Sequence, residues 1–316
     1  MRLSLLPVVL LALLASTCGI FNPRTTTHFD TRVSALDVFV RHDTLLVAAG
    51  DSGLLAFDVS KPKAPRELWH VVLGRDCRCV IAAGGDACVG TDSGALVYNL
   101  VSGGRTWLHC GGTSQVVTGL AVDSTRLYAA TSDGVTVFNL TSPDPVRFVP
   151  LAGEPTGLAR RDSRLFVSLH DWGVRVLNVL PGDSLALDAL RLGRHYPAEG
   201  VTASSGGYCM VSQADSGFVV YYSPSPDSVR LVAGGGGGNF PTYATAATDG
   251  VEELSIYSAD SSTVTIYKVI NRPETSSFSE ETGFGDFTGF TRRVCRGGNG
   301  YVYTASGDAG VYIIRE

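Results

Sequence analysis

The stretch GRHYPAEG (residues 193–200) sets His195, Tyr196 and Glu199 close together. A carboxylate near an imidazole can move protons at neutral pH, so this is the first place to look for chemistry. Acid–base catalysis needs company, and no nucleophile elbow, His-Glu-x-x-His helix or P-loop accompanies the pair. No catalytic residue is therefore assigned, and the three side chains are taken as candidate binding groups. HDWG (170–173) offers a fourth, Trp172, because a rigid aromatic gives much contact area at little entropic cost. Packing of Trp172 against a neighbouring loop is the alternative. Cys77-x-Cys79 is one residue too short for a zinc pair, so no metal site is expected.

Composition narrows the function classes. The chain has 316 residues, 44% of them apolar, with 37 glycines and a formal charge of −5. Such a balance supports a large core of short strands and turns. It also argues against nucleic acid, whose binders need a basic face to displace counterions. Nothing in the sequence calls for a cofactor.

The first residues read as an export signal. Arg2 precedes the apolar run LSLLPVVLLALLA (3–15), which is shorter than the roughly 20 residues a spanning helix needs. LLASTCG (13–19) resembles the lipobox of bacterial lipoproteins, with Thr17 departing from the usual Gly or Ala. That resemblance implies a signal peptide over 1–17, a lipidated Cys18, a tether over 18–23 and one domain over 24–316. The expected location is the bacterial cell envelope, with a soluble secreted or periplasmic protein as the alternative. Six cysteines remain, Cys77, Cys79, Cys88, Cys110, Cys209 and Cys295. They are read either as small buried apolar groups or as including a link from Cys77 or Cys79 to Cys110.

One phrase organises everything after the signal. AGDSGLLAFDVS around Gly53 returns as GTDSGALVYNL at Gly94, TSDGVTVFNL at Gly134 and LHDWGVRVLNV at Gly173. It continues as QADSGFVVYYS at Gly217, a degenerate SADSSTVTIYKV at Ser262 and SGDAGVYIIRE at Gly310. Steps of 41, 40, 39, 44, 45 and 48 residues, carrying only strand signals, match a four-stranded propeller blade. The fold class expected is all-β: a seven-bladed β-propeller of four-stranded antiparallel blades. In the third copy the strands fall at 118–123, 126–132, 134–140 and 146–151. The last copy stops after its third strand, so residues 24–31 are expected to supply the missing outer strand and close the ring. The aspartates at the repeated turn, Asp51, Asp92, Asp133, Asp171, Asp215, Asp260 and Asp308, are expected to bond turn amides rather than a cation.

GLLAFDVSKPKAP (53–65) and GVTVFNLTSPDP (134–145) resemble the bacterial LVIVD repeat, and YKVINRP (267–273) resembles it more weakly. The resemblance implies an envelope propeller. The Gly-His and Trp-Asp marks of WD40 blades and the tryptophan motif of quinone-dependent propellers are absent. In a propeller, the loops entering the inner strands meet at the central mouth. Gln115, Glu154, His195, Tyr196, Glu199, Asn239 and Tyr243 belong to that set. The glycine run within AGGGGGNFPTY (233–243) reads as a slack linker, and FSEETGFGDFTGF (278–290) as a contact surface or a plug. The function expected is a non-enzymatic binding or scaffold module, monomeric, for a protein or glycan partner, held to the membrane through Cys18. A lactonase- or hydrolase-type enzyme with a metal-assisted site at the mouth is the alternative.

Overall fold

A computed structural model describes residues 26–316, except 143, 183, 193–196, 226–227, 236–241, 250–252, 272–275 and 285–286. Seven separate four-stranded antiparallel sheets occupy these residues, with no helix among them. Two β-sandwiches would merge strands of distant repeats into shared sheets. Here each sheet holds one repeat, and each inner strand lies beside those of its two neighbours, so the sheets form a ring of blades. Blade 3 is representative, with strands Val117–Val122, Arg126–Thr131, Gly134–Asn139 and Pro145–Pro150.

Strict alternation along the middle strands explains the ring. In blade 1, Leu45, Val47, Leu55 and Phe57 project from one face and pack with Tyr303 and Ile313 of blade 7. Leu46, Ala48, Leu54 and Ala56 project from the other and pack with Val80, Val89 and Leu96 of blade 2. Side chains two apart share a face, so one strand feeds two different cores. Each such buried Val, Leu, Ile or Phe is worth about 1.5–3 kcal/mol. A single blade could bury neither face alone, which is why the repeats stack.

The terminal blade closes as the sequence predicts. Thr26–Phe29 pairs antiparallel with the last strand, Thr26 opposite Ile314 and Phe29 opposite Val311. Phe29 meets Phe57 of blade 1 edge-on, with ring centroids 4.7 Å apart. His28 stacks on Tyr312 at 4.7 Å, and its Nε2 lies 2.6 Å from the Ala309 carbonyl. Gly310 must be glycine here: its φ is +82°, and a Cβ would stand 2.6 Å from the Phe29 carbonyl oxygen.

Three expectations need correction. All six cysteines in the described residues are free, five of them buried, so no link joins Cys77 or Cys79 to Cys110. Burial pushes the Cys79, Cys88 and Cys209 thiols up to about 12. The segment 278–290 is not one unit, since it divides between a blade strand, a buried ring and Phe290 at the mouth. Ser276–Phe284 is the outer strand of blade 6, and Phe287, 6% exposed, stacks on Tyr312 at 4.3 Å. The turn aspartates also divide. Asp260 accepts bonds from the amides of Ser262 and Thr263 within its own turn. Asp133 instead holds the blade 2–3 link through the Ser114 amide and the Thr113 hydroxyl, contacts that keep its carboxyl below the usual range. In blade 2 the turn is tied by the Thr91 hydroxyl, which donates to the Gly94 carbonyl. The glycine run ends the outer strand of blade 5 at Gly235, and its remainder lies outside the described residues.

Candidate functional site

Every inner strand starts at one end of the ring axis and runs to the other. The residues at these starts surround a mouth cavity of about 510 Å³. Below it, an axial channel of about 150 Å³ runs between the inner strands.

The channel floor follows from register. Asp37 pairs with Ala48, Cys79 with Gly90, Gly119 with Ala130 and Gly157 with Ser168. Gly200 pairs with Ser212, Ala244 with Ala259 and Arg293 with Ala305. These seven residues occupy one layer around the axis, one per blade. Blades 3, 4 and 5 put glycine there because their inner strands crowd together. A Cβ on Gly119 would lie 2.7 Å from the Leu158 nitrogen. Arg293 from blade 7 uses the open space: its Nη1 lies 3.6 Å from where a Gly200 Cβ would be. Asp37 from blade 1 accepts 2.9 Å bonds from the Val38 and Val80 amides, tying blade 1 to blade 2. Burial raises its carboxyl to about 6, against the opposing pull of Arg293 and the two amides.

Above this floor the mouth is bipolar. Arg292 and Arg293 enter from blade 7 and Arg78 from blade 2, flanking Leu36 of blade 1. Glu154 of blade 4 and Glu199 of blade 5 stand across the axis. Arg78 reaches the Asp76 carboxylate at 3.2 Å, and Glu199 Oε1 lies 3.3 Å from His170 Nδ1. Tyr243 and Phe290 form an aromatic wall, their centroids 4.5 Å apart, and the Arg292 guanidinium sits 5.9 Å from the Phe290 ring centre.

Glu154, Glu199 and Tyr243 are thus brought together at the mouth. Trp172 is not part of its lining. It crowns the blade 4 turn, 53% exposed, with its Cδ1 3.0 Å from the Cβ position of Gly153. Gln115 turns away from the axis: its side-chain carbonyl accepts from the Cys110 amide and its NH₂ donates to the Cys110 carbonyl. His195, Tyr196 and Asn239 lie outside the described residues. Sequence reading missed Arg78, Arg292 and Arg293, while Phe290 ends the stretch 278–290 that was read as a contact surface or a plug. A signal was present: in DV, CV, GL, GL, GV, AT and RV the inner strands align, and Asp37 and Arg293 break a run of small residues. Among the described residues no three His, Cys, Asp or Glu side chains stand close enough to hold a metal ion.

Fold and axial mouth together define a seven-bladed β-propeller. No protein-family model matches the chain, and no curated protein matches it. Solved structures do match. The chain is similar to U3-55K at 14% identity and a TM-score of 0.71, over 92% of this chain and 98% of that one. It is similar to the RRP9 WD40 repeats at 14% identity and a TM-score of 0.70, covering 92% and 97%. The computationally designed Ika8 protein shares 12% identity at a TM-score of 0.66, covering 92% and 98%. At these identities the likeness establishes the fold alone.

Proposed function

We propose that this propeller is a non-enzymatic binding or scaffold module of the bacterial cell envelope, held by a lipid on Cys18 and presenting its mouth to a protein or glycan partner. The observation that carries the reading is the mouth itself: arginines on one side, glutamates on the other and an aromatic wall between, on a rigid ring. Rigid scaffolds with variable loops suit recognition, because stability resides in the sheets and specificity in the loops. WD40 propellers among the similar folds agree with such a role. The LVIVD-like phrases and the lipobox-like LLASTCG support the envelope part of the reading. Metal-assisted hydrolysis draws less support, since among the described residues Glu154, Glu199 and the His170 beside Glu199 do not come close enough together to hold a metal ion.

Partner capture from envelope extracts tests the reading. The double reversal Arg292→Glu with Glu154→Arg should abolish capture of whatever the wild-type protein retains. Val101→Ser, at a fully solvated position 92% exposed on the blade 2 perimeter, should leave capture intact. Equal capture by the reversed mouth would sink the assignment of the mouth as the binding face.

A further inference from the structure

We infer that the mouth takes a small dipolar ligand of the short-peptide class, its carboxylate on the arginine arc and its ammonium toward the glutamates. This rests on the mouth being the binding face. The volume, about 510 Å³, falls in the range of small-ligand sites, and the lining mixes apolar surface with a few convergent charges.

The charges select the ligand. Neither Arg292 nor Arg293 has a carboxylate within ion-pair distance among the described residues, although Asp37 faces Arg293 from the channel below. A guanidinium is a planar fork of donors that matches a carboxylate bidentately. Arg293 belongs to both the mouth and the channel, so it is the donor at the floor, with Arg292 and Arg78 on the rim. The glycines at 119, 157 and 200 deny the other side of that layer any side chain, leaving Arg293 approachable from above.

Opposite charge excludes the obvious competitors. In a seven-membered ring, blades 4 and 5 lie across from blade 1, so Glu154 and Glu199 enter opposite the roots of the arginine arc, with the Arg293 side chain reaching over toward Gly200 of blade 5. A polyanion or a phosphate that satisfied the arginines would set surplus negative charge against these two carboxylates and Asp37. A ligand with one charge of each sign satisfies both arcs. Tyr243 and Phe290, the latter 40% exposed, offer the ring surface on which an apolar side chain between the two charges would rest.

Calorimetric titration of the purified full-length protein with the dipeptide Ala-Phe tests this. Saturable binding is expected. It should weaken about tenfold or more when the peptide is C-terminally amidated and when the protein carries Arg293→Gln. N-acetylation of the peptide and the Glu154→Gln/Glu199→Gln pair should each weaken it several-fold, and Ala-Ala should bind less well than Ala-Phe. If Arg293→Gln fails to fold by its melting profile, the rim pair Arg78→Gln/Arg292→Gln replaces it. Absence of saturable Ala-Phe binding at millimolar peptide overturns the inference, as does equal binding of the amidated form. Failure here with partner capture still lost on mouth reversal removes the ligand assignment alone. Capture that survives reversal removes the underlying reading.

Discussion

Asp37 and Arg293 hold the same register position on blades that adjoin at the ring closure, where the other five blades carry Cys, Gly or Ala. Their environment has a pH consequence. A carboxyl raised from 3.8 to about 6 binds its proton more tightly in the folded state than in the unfolded one. Its stabilising contribution is complete below 3.8 and is lost as pH rises through 6. Arg293, permanently charged, and the buried thiols of Cys79, pushed up to about 12, and Cys295, pushed up to about 11, are the ionisable groups facing it, so none titrates in that window. Asp37 keeps some exposure to the channel, which limits the effect to on the order of 1 kcal/mol. Urea unfolding of the wild type should lose that much stability between pH 4.5 and 7 relative to Asp37→Asn. Parallel profiles for the two proteins would show that Asp37 is ordinary. At this scale the sequence was only partly readable. Glu154, Glu199 and Tyr243 precede inner strands and were found by position. The arginines were not, because they sit at or beside the first residues of strands, where side-chain direction depends on a register no single copy reveals.

The strand Thr26–Phe29 is the element on which closure depends. It covers the edge of the last blade and inserts Phe29 against Phe57 across the blade 7–1 boundary. Deleting residues 26–31 removes four residue pairings and two ring contacts, and leaves an open sheet edge. Chemical denaturation should show a loss of about 2–4 kcal/mol, against less than about 0.5 kcal/mol for Val101→Ser. A deletion as mild as the surface change would mean that the ring closes without its first strand. This element was legible because the last repeat visibly lacks its fourth strand. Blade 3 was legible too, its four strands falling within a residue of their expected ends, since alternation and turn residues agree there. The outer strand of blade 6 was not: Ser276–Phe284 mixes acids, serines and glycine, as an edge strand with only one neighbour allows, and so carries no alternating signature.

At the scale of the molecule, a period near 40 residues was enough to count the blades, because each blade needs its neighbours to bury both faces. The same argument says nothing of what the mouth holds, since the ring would be as stable with other charges there. The anchor is tested at this scale. Cys18→Ser should move the protein from the membrane fraction to the soluble one, and an unchanged distribution would remove the lipid from the proposed function. The polarity of the strands then acquires a meaning. The strand that completes blade 7 begins at Thr26 beside Ile314 and climbs to Phe29 beside Val311, next to the turn on the mouth side. Its first residue therefore lies at the underside, where Glu316 also ends against Arg296. A molecule moored by the chain ahead of Thr26 would sit like a dish on a stalk, its open bowl turned to whatever approaches from outside.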